Sequence, residues 1–244
     1  MTGVEVLVIA VAAGVGAALS SFAGIGGGLL LLSVMLGFMD PLEAIPVHSV
    51  LQLVSNSTRT ITLRESVETT VVKPFALLLL PGTIAGLAVA GTLPRSVGQL
   101  VIAAFALLAG WWPAALDAST RILGDGRRTF VALGAISGFL QMTVGAVGPV
   151  VAPVIRREMG DRTRTVATFS ACQAMAHVLK LTLFAIVGFA FGDWWTVILV
   201  GAATTIVGTH IGSRLLRRQS ERVFGWVFRL ALTVVAVRVI IIAI

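Results

Sequence analysis

Four polar residues share one face of an otherwise apolar stretch. Ser49, Gln52, Asn56 and Arg59 recur at i, i+3, i+7 and i+10, a spacing that lines them up along one helical stripe. A second stretch repeats the pattern with Ser170, Gln173, His177 and Lys180. Hydroxyls, amides and one cation, with no carboxylate beside them, supply donors and positive charge for a small anion. Such stripes also serve as glue between helices, at about 1–2 kcal/mol or less per hydrogen bond. The cations carry more weight, because in lipid a buried Arg or Lys costs about 2.5 kcal/mol or more and marks a functional position. Arg59 falls late in its stretch and Lys180 lies about 24 Å along its helix from Arg164. Both therefore read either as lining an anion path or as snorkelling to an interface.

Two glycine-rich breaks form a second constellation. GIGGG spans Gly24–Gly28, with Gly24, Gly26, Gly27 and Gly28 as candidates, and GAVGP spans Gly145–Pro149, with Gly145 and Gly148. Each feeds a short apolar segment expected to be helical, 29–38 or 150–155. The free N–H groups and partial positive charge of a helix N-terminus suit an anion. The plainer reading is close helix packing through glycines. Gly24–Gly28 also brushes a dinucleotide fingerprint, but no strand precedes it.

Enzyme chemistry finds no support. The chain has no H-E-x-x-H, no carboxylate pair within a span and no Ser-His-Asp spacing. No catalytic residue, metal ligand or cofactor is expected. His48 and His210 read as hydrogen-bonded packing residues, and the single Cys172 as a buried, inert thiol that excludes an intrachain disulfide.

The elements that must position these residues belong to a membrane protein. Of 244 residues, 57% are hydrophobic and 12% charged, where a soluble domain carries about 25%. At about 20 residues per crossing, there is room for many spans and none for a separate soluble domain. The net charge of +7 does not signal nucleic acid, since most of the 18 Lys and Arg sit in short loops between apolar runs. Residues 1–23 contain Glu5 and no Lys or Arg. They read as a retained membrane segment rather than a signal peptide.

Apolar runs too long for barrel strands imply helices. A shift of 121 places Leu19 on Leu140, Gly24 on Gly145, Asp40 on Asp161, Ser49 on Ser170, Gln52 on Gln173 and Arg59 on Lys180. The chain therefore reads as a repeat. The first copy is 1–120, with a hairpin over 4–39 and spans 44–63, 74–93 and 96–116. The second is 121–244, with a hairpin over 129–155 and spans 165–192, 194–213 and 223–244. Only 27 uncharged residues precede Arg156 in the second copy, too few for two crossings, so each copy starts with a re-entrant hairpin. Equivalent loops carry opposite charge character. If the second copy is inverted, 13 basic residues face the cytoplasm and only Arg95 faces outward, as the positive-inside rule requires. The expected fold is all-α: two inverted repeats, each a Gly-rich re-entrant hairpin plus three transmembrane helices, with both termini periplasmic. Such repeats meeting in broken helices at mid-membrane are a transporter signature.

Residues 20–37 (SSFAGIGGGLLLLSVMLG), the 40–52 stretch, residues 81–94 (PGTIAGLAVAGTLP) and the weaker second copy together resemble the sulfite exporter TauE/SafE family of membrane transporters. Pro149 stands where Gly28 stands in the first copy, a departure from the family's glycine-rich pattern. The resemblance implies export of a small sulfur oxyanion or organosulfonate, such as sulfite or sulfoacetate, across the bacterial inner membrane. It implies a small anion and the lipid bilayer as partners. A homodimer is a further expectation that no residue pattern specifies. Export does not require a coupling ion, because the membrane potential itself expels an anion and no span offers an Asp or Glu relay; whether a proton accompanies the anion stays open. The alternatives are an anion channel or a carrier of another solute on the same scaffold, and a membrane enzyme or assembly factor.

Overall fold

The computed structural model describes residues 1–23 and 26–215, together with Thr233, Val237 and Ile241. Gly24 and most of the expected span 223–244, including Arg229 and Arg238, lie outside the described residues. Among the described residues every regular element is helical.

Helix α1 (Gly3–Ala23) leads to α2 (Gly27–Met35), and Gly26 between them adopts φ +98°, a conformation that favours glycine. A side chain at Gly27 would land on the Gly16 carbonyl, so α2 folds back along α1. At 21 residues, about 31 Å, α1 is long enough to cross the hydrocarbon core by itself. Helix α3 (Pro41–Thr62) carries the first polar stripe. Asp40 is its N-cap, Pro41 its first residue, and the Glu43 carboxylate accepts the Asp40 N–H at 3.3 Å. The expected span 74–93 begins earlier and is bent. It consists of α4 (Thr69–Leu77) and α5 (Leu79–Ala90), set at 47°. Pro81 has no N–H for the Leu77 carbonyl, which accounts for the break. The run 96–116, expected as one span, turns by 94° between α6 (Arg95–Trp111) and α7 (Pro113–Arg121), where Pro113 stops helix propagation.

The second half begins with α8 (Arg127–Thr143) and α9 (Gly148–Met159), joined through Gly145 at φ +85°. Helix α10 (Arg162–Ile186) carries the second stripe, its N-cap Asp161 accepting the Arg164 N–H at 2.7 Å. It stops six residues short of the expected 192, at a turn where Gly188 has φ +87°. Helix α11 (Trp195–Leu215) is the last fully described element. Among the described residues, three helices are long and apolar enough to cross a membrane, or up to five when each bent pair counts as one span. Large apolar side chains on their outer faces, Leu7, Ile84, Leu199 and Val207 among them, are exposed as lipid contact requires. The chain is a multi-pass, all-α membrane protein.

Packing follows a regular exchange. Helices α1 and α11 run parallel in close contact: a side chain at Gly208 would strike the Gly14 carbonyl, and one at Gly212 the Ala18 carbonyl. Helices α5 and α8 do the same through Gly82 against Ala135 and Gly86 against Phe139. At the centre, α3 and α10 pack antiparallel, with the His48 ring 6.3 Å from that of His177 and Glu68, just past α3, paired with Arg164 at the start of α10.

Candidate functional site

Antiparallel crossing of α3 and α10 brings the middles of the two polar stripes together, and the two helix–glycine breaks close over them. Arg59 and Lys180 are 1% and 0% exposed, so neither snorkels to a surface. Arg59 donates to the Ser20 carbonyl at 3.3 Å and to Ser55 Oγ at 2.9 Å. Lys180 Nζ donates to the Gln141 carbonyl at 2.8 Å and the Gly145 carbonyl at 3.2 Å. Ser20 and Gln141 are 121 residues apart, as are Arg59 and Lys180, so the two cations make the same contact in the two halves. Each meets the last turn of the helix before a break, where carbonyls lack intrahelical partners and the helix dipole is negative. Backbone, rather than a carboxylate, compensates each buried charge.

Between the breaks lies a cavity of about 30 Å³. Its walls come from both halves in register: Ser20 with Gln141, Gly26 with Val147, Gly28 with Pro149, His48 with Phe169, Gln52 with Gln173 and Asn56 with His177 are each 121 apart. Leu29, Arg59, Ala146 and Gly148 complete the lining. No carboxylate is among its described lining residues. A space of this size admits one or two waters, and a sulfur oxyanion requires the walls to part.

Unpartnered polar atoms gather here. Gln141 Nε2 donates to Gln173 Oε1 at 2.8 Å, while Gln141 Oε1, Gln173 Nε2, Arg59 Nε, His48 Nδ1 and His177 Nδ1 are buried without a hydrogen-bond partner. Each such atom costs about 1–3 kcal/mol. Five of them around one cavity mark a place where a polar ligand or water completes the bonding.

Of the residues picked out by sequence, Gly26, Gly28, Gln52, Asn56, Arg59, Gly148, Gln173 and His177 line the cavity. Ser49 and Ser170 do not. Each is bonded to the carbonyl four residues earlier in its own helix, Ile45 at 2.6 Å and Val166 at 2.7 Å. Gly27 packs on α1, Gly145 sits against Leu32 and Ile45, and Lys180 stands behind the second break. Ser20, His48 and Gln141 belong to the lining, and the two polar stripes and glycine-rich breaks do not include them. Ser20 and Gln141 carry one usable signal, a polar residue at positions 121 apart just before each glycine-rich break.

An ion pair closes one end of the α3–α10 crossing. The Glu68 carboxylate accepts from Arg164, and the Glu68 N–H donates to Thr168 Oγ1 at 3.0 Å. The Thr70 hydroxyl, first, and then Arg164 hold the Glu68 carboxyl below the usual carboxylate range. A depressed pKa means the clamp is intact above the ordinary value and is lost only as pH falls through the lowered one. Hydrogen exchange at residues 64–70, corrected for intrinsic rates, should stay level from pH 8 to 5 and rise in Glu68→Gln throughout. An equal rise in the parent at pH 5 would contradict this.

A family model described as sulfite exporter TauE/SafE matches residues 8–239 of the chain. No curated protein and no solved structure matches it.

Proposed function

From the premise that the chain belongs to the sulfite exporter TauE/SafE family, a family of membrane transporters rather than enzymes, we propose that it exports a small sulfur oxyanion or organosulfonate across the bacterial inner membrane by alternating access. The observation that carries this reading is the cavity itself. Six register pairs, one buried cation in its wall and a second behind it, and unpartnered amide and imidazole nitrogens converge where no carboxylate is present. The anion binds at the level of Gln52 and Gln173, each near the middle of its helix, with the backbone of the two breaks around it. Arg59 lies towards the cytoplasmic mouth and Lys180 towards the periplasmic one. The small size of the cavity favours a carrier over a continuous pore, because the breaks must move to admit substrate.

Alternating access follows from inverted repeats, in which one half rocks against the other around a fixed site. Three arrangements support the inversion. Helices α3 and α10 are antiparallel, whereas repeats of one orientation would run them the same way. Helix α1 of the first half runs parallel to α11 of the second, and α8 runs parallel to α5, so first and third elements are exchanged between halves. The loops at 64–73, 121–128, 156–164 and 214–222 hold 13 basic residues and share one side under this arrangement.

Two experiments test the reading. In a Cys172→Ala background, Thr2→Cys should label only from the periplasm and Gly126→Cys only from the cytoplasm; labelling of both from one side would exclude the inverted topology. Purified protein in liposomes should carry sulfite at a saturable rate, whereas conductance far above carrier turnover would make it a channel.

A further inference from the structure

His48 poses a proton-accounting problem inside the cavity. Its Nε2 lies 2.8 Å from the Gly28 carbonyl oxygen, and a carbonyl only accepts, so Nε2 carries the hydrogen. In a neutral ring the other nitrogen, Nδ1, is then a bare lone pair. That Nδ1 is buried without a partner, on a ring that lines the cavity. An oxyanion entering here brings further lone pairs against it. One proton between the two resolves the conflict, carried on the ring as imidazolium or on the anion as its conjugate acid. His177, whose ring is 6.3 Å away and whose Nδ1 is also unpartnered, is the adjacent second base.

We propose that the anion crosses together with one proton held between it and His48 Nδ1, and that the natural substrate is therefore a dianion. This rests on the anion-transport reading above. The charged and titratable groups around the pair fix the order of events. Helix α10 presents His177 and Lys180, and α3 itself presents Arg59. Helix α2 has no titratable side chain, and α8 and α9 bring Gln141, Gly148 and Pro149 to the lining. Among the other neighbours of α3, α6 has its one charged residue, Arg95, at its first position, and α11 carries exposed His210 and Arg214. Asp193 stands in the turn before α11. With cations as the near neighbours and no carboxylate in the lining, a proton alone is repelled. It enters with the anion, each neutralising part of the other.

Charge balance then selects the substrate. A monoanion moving with a proton is neutral and gains nothing from the membrane potential. A dianion moving with a proton carries one net negative charge, which a cell negative inside expels. Sulfite and sulfoacetate both meet this condition near and above neutral pH, and a simple alkyl monosulfonate does not. The coupling needs no carboxylate relay in the spans.

The test is the reversal potential of the full chain in liposomes, with sulfite and with sulfoacetate, whose two charges are fixed from pH 6 to 8. At equal pH on both sides, a tenfold anion gradient should reverse at about 59 mV, the value for one net charge, rather than about 30 mV, the value for two. For sulfoacetate, a tenfold proton gradient should add about 59 mV more. A value near 30 mV, indifferent to pH, would overturn the proton and leave the transport reading standing. No flux of either anion would overturn both. The seat of the proton is read without transport, by histidine ¹⁵N NMR of the wild-type protein. The chain has only 3 histidines, and His48→Gln, which can still donate to the Gly28 carbonyl, serves to assign its resonance. Adding the transported anion at pH 7 should move the His48 Nδ1 signal; an unmoved signal would overturn the assignment to His48.

Discussion

Replacing Gln173 by Leu is expected to cut sulfite transport about 10- to 100-fold while the protein stays folded. Its Nε2 is buried, unpartnered and in the cavity wall, and its Oε1 accepts from Gln141. A hydrogen bond to a charged group is worth about 1.5–3 kcal/mol, and each 1.4 kcal/mol is a factor of ten. The leucine removes a donor to the anion and also leaves the Gln141 amide without its acceptor. Gln52→Leu removes only the first of these and should cost less, though still about tenfold. Initial rates in proteoliposomes, with thermal midpoints in detergent as the folding control, decide the matter. Transport within twofold of the parent in either variant would mean that the anion does not pass at the glutamine level.

The cations should separate a charge effect from a scaffold effect. Arg59→Gln and Lys180→Gln remove long-range attraction but keep a donor near the backbone carbonyls at the two breaks. The expected result is a higher apparent affinity constant, mainly from the cytoplasmic side for Arg59→Gln and mainly from the periplasmic side for Lys180→Gln. Lys180→Met is harsher, because it strips the donor from the Gln141 and Gly145 carbonyls. Orphaned buried carbonyls cost about 1–3 kcal/mol each, offset in part by relief of the buried charge. We therefore expect a clear fall in thermal midpoint for Lys180→Met and a smaller one for Lys180→Gln. A folded Arg59→Gln, Lys180→Gln double variant that transports like the parent would reduce both residues to scaffold.

The polar stripes were legible because a charged or amide side chain in an apolar helix has few explanations, and because the 121-residue register repeated four positions at once. Which members face the cavity does not follow from spacing alone. Ser49 and Ser170 lie at the correct spacing, yet a helical serine can bond its own backbone, and both do. His48 lines the cavity without a signal in the comparison of halves, because the residue 121 positions on is Phe169. The partners of Arg59 and Lys180 are main-chain carbonyls at helix ends, which no residue type announces. Pro81 and Pro113 mark their breaks in the sequence, but the difference between a 47° bend and a 94° turn depends on what each helix packs against. The inverted arrangement is a proposal that draws on loop charge, a signal independent of helix packing.

The cavity is proposed to pass a sulfur anion under the control of the membrane potential. Sulfite efflux from liposomes containing the purified protein, with the potential clamped by potassium and valinomycin, tests it most directly. The expected result is saturable efflux absent from empty liposomes, faster with the interior negative and slower when the potential is reversed. Efflux no greater than from empty liposomes, or indifferent to the sign of the potential, would contradict it.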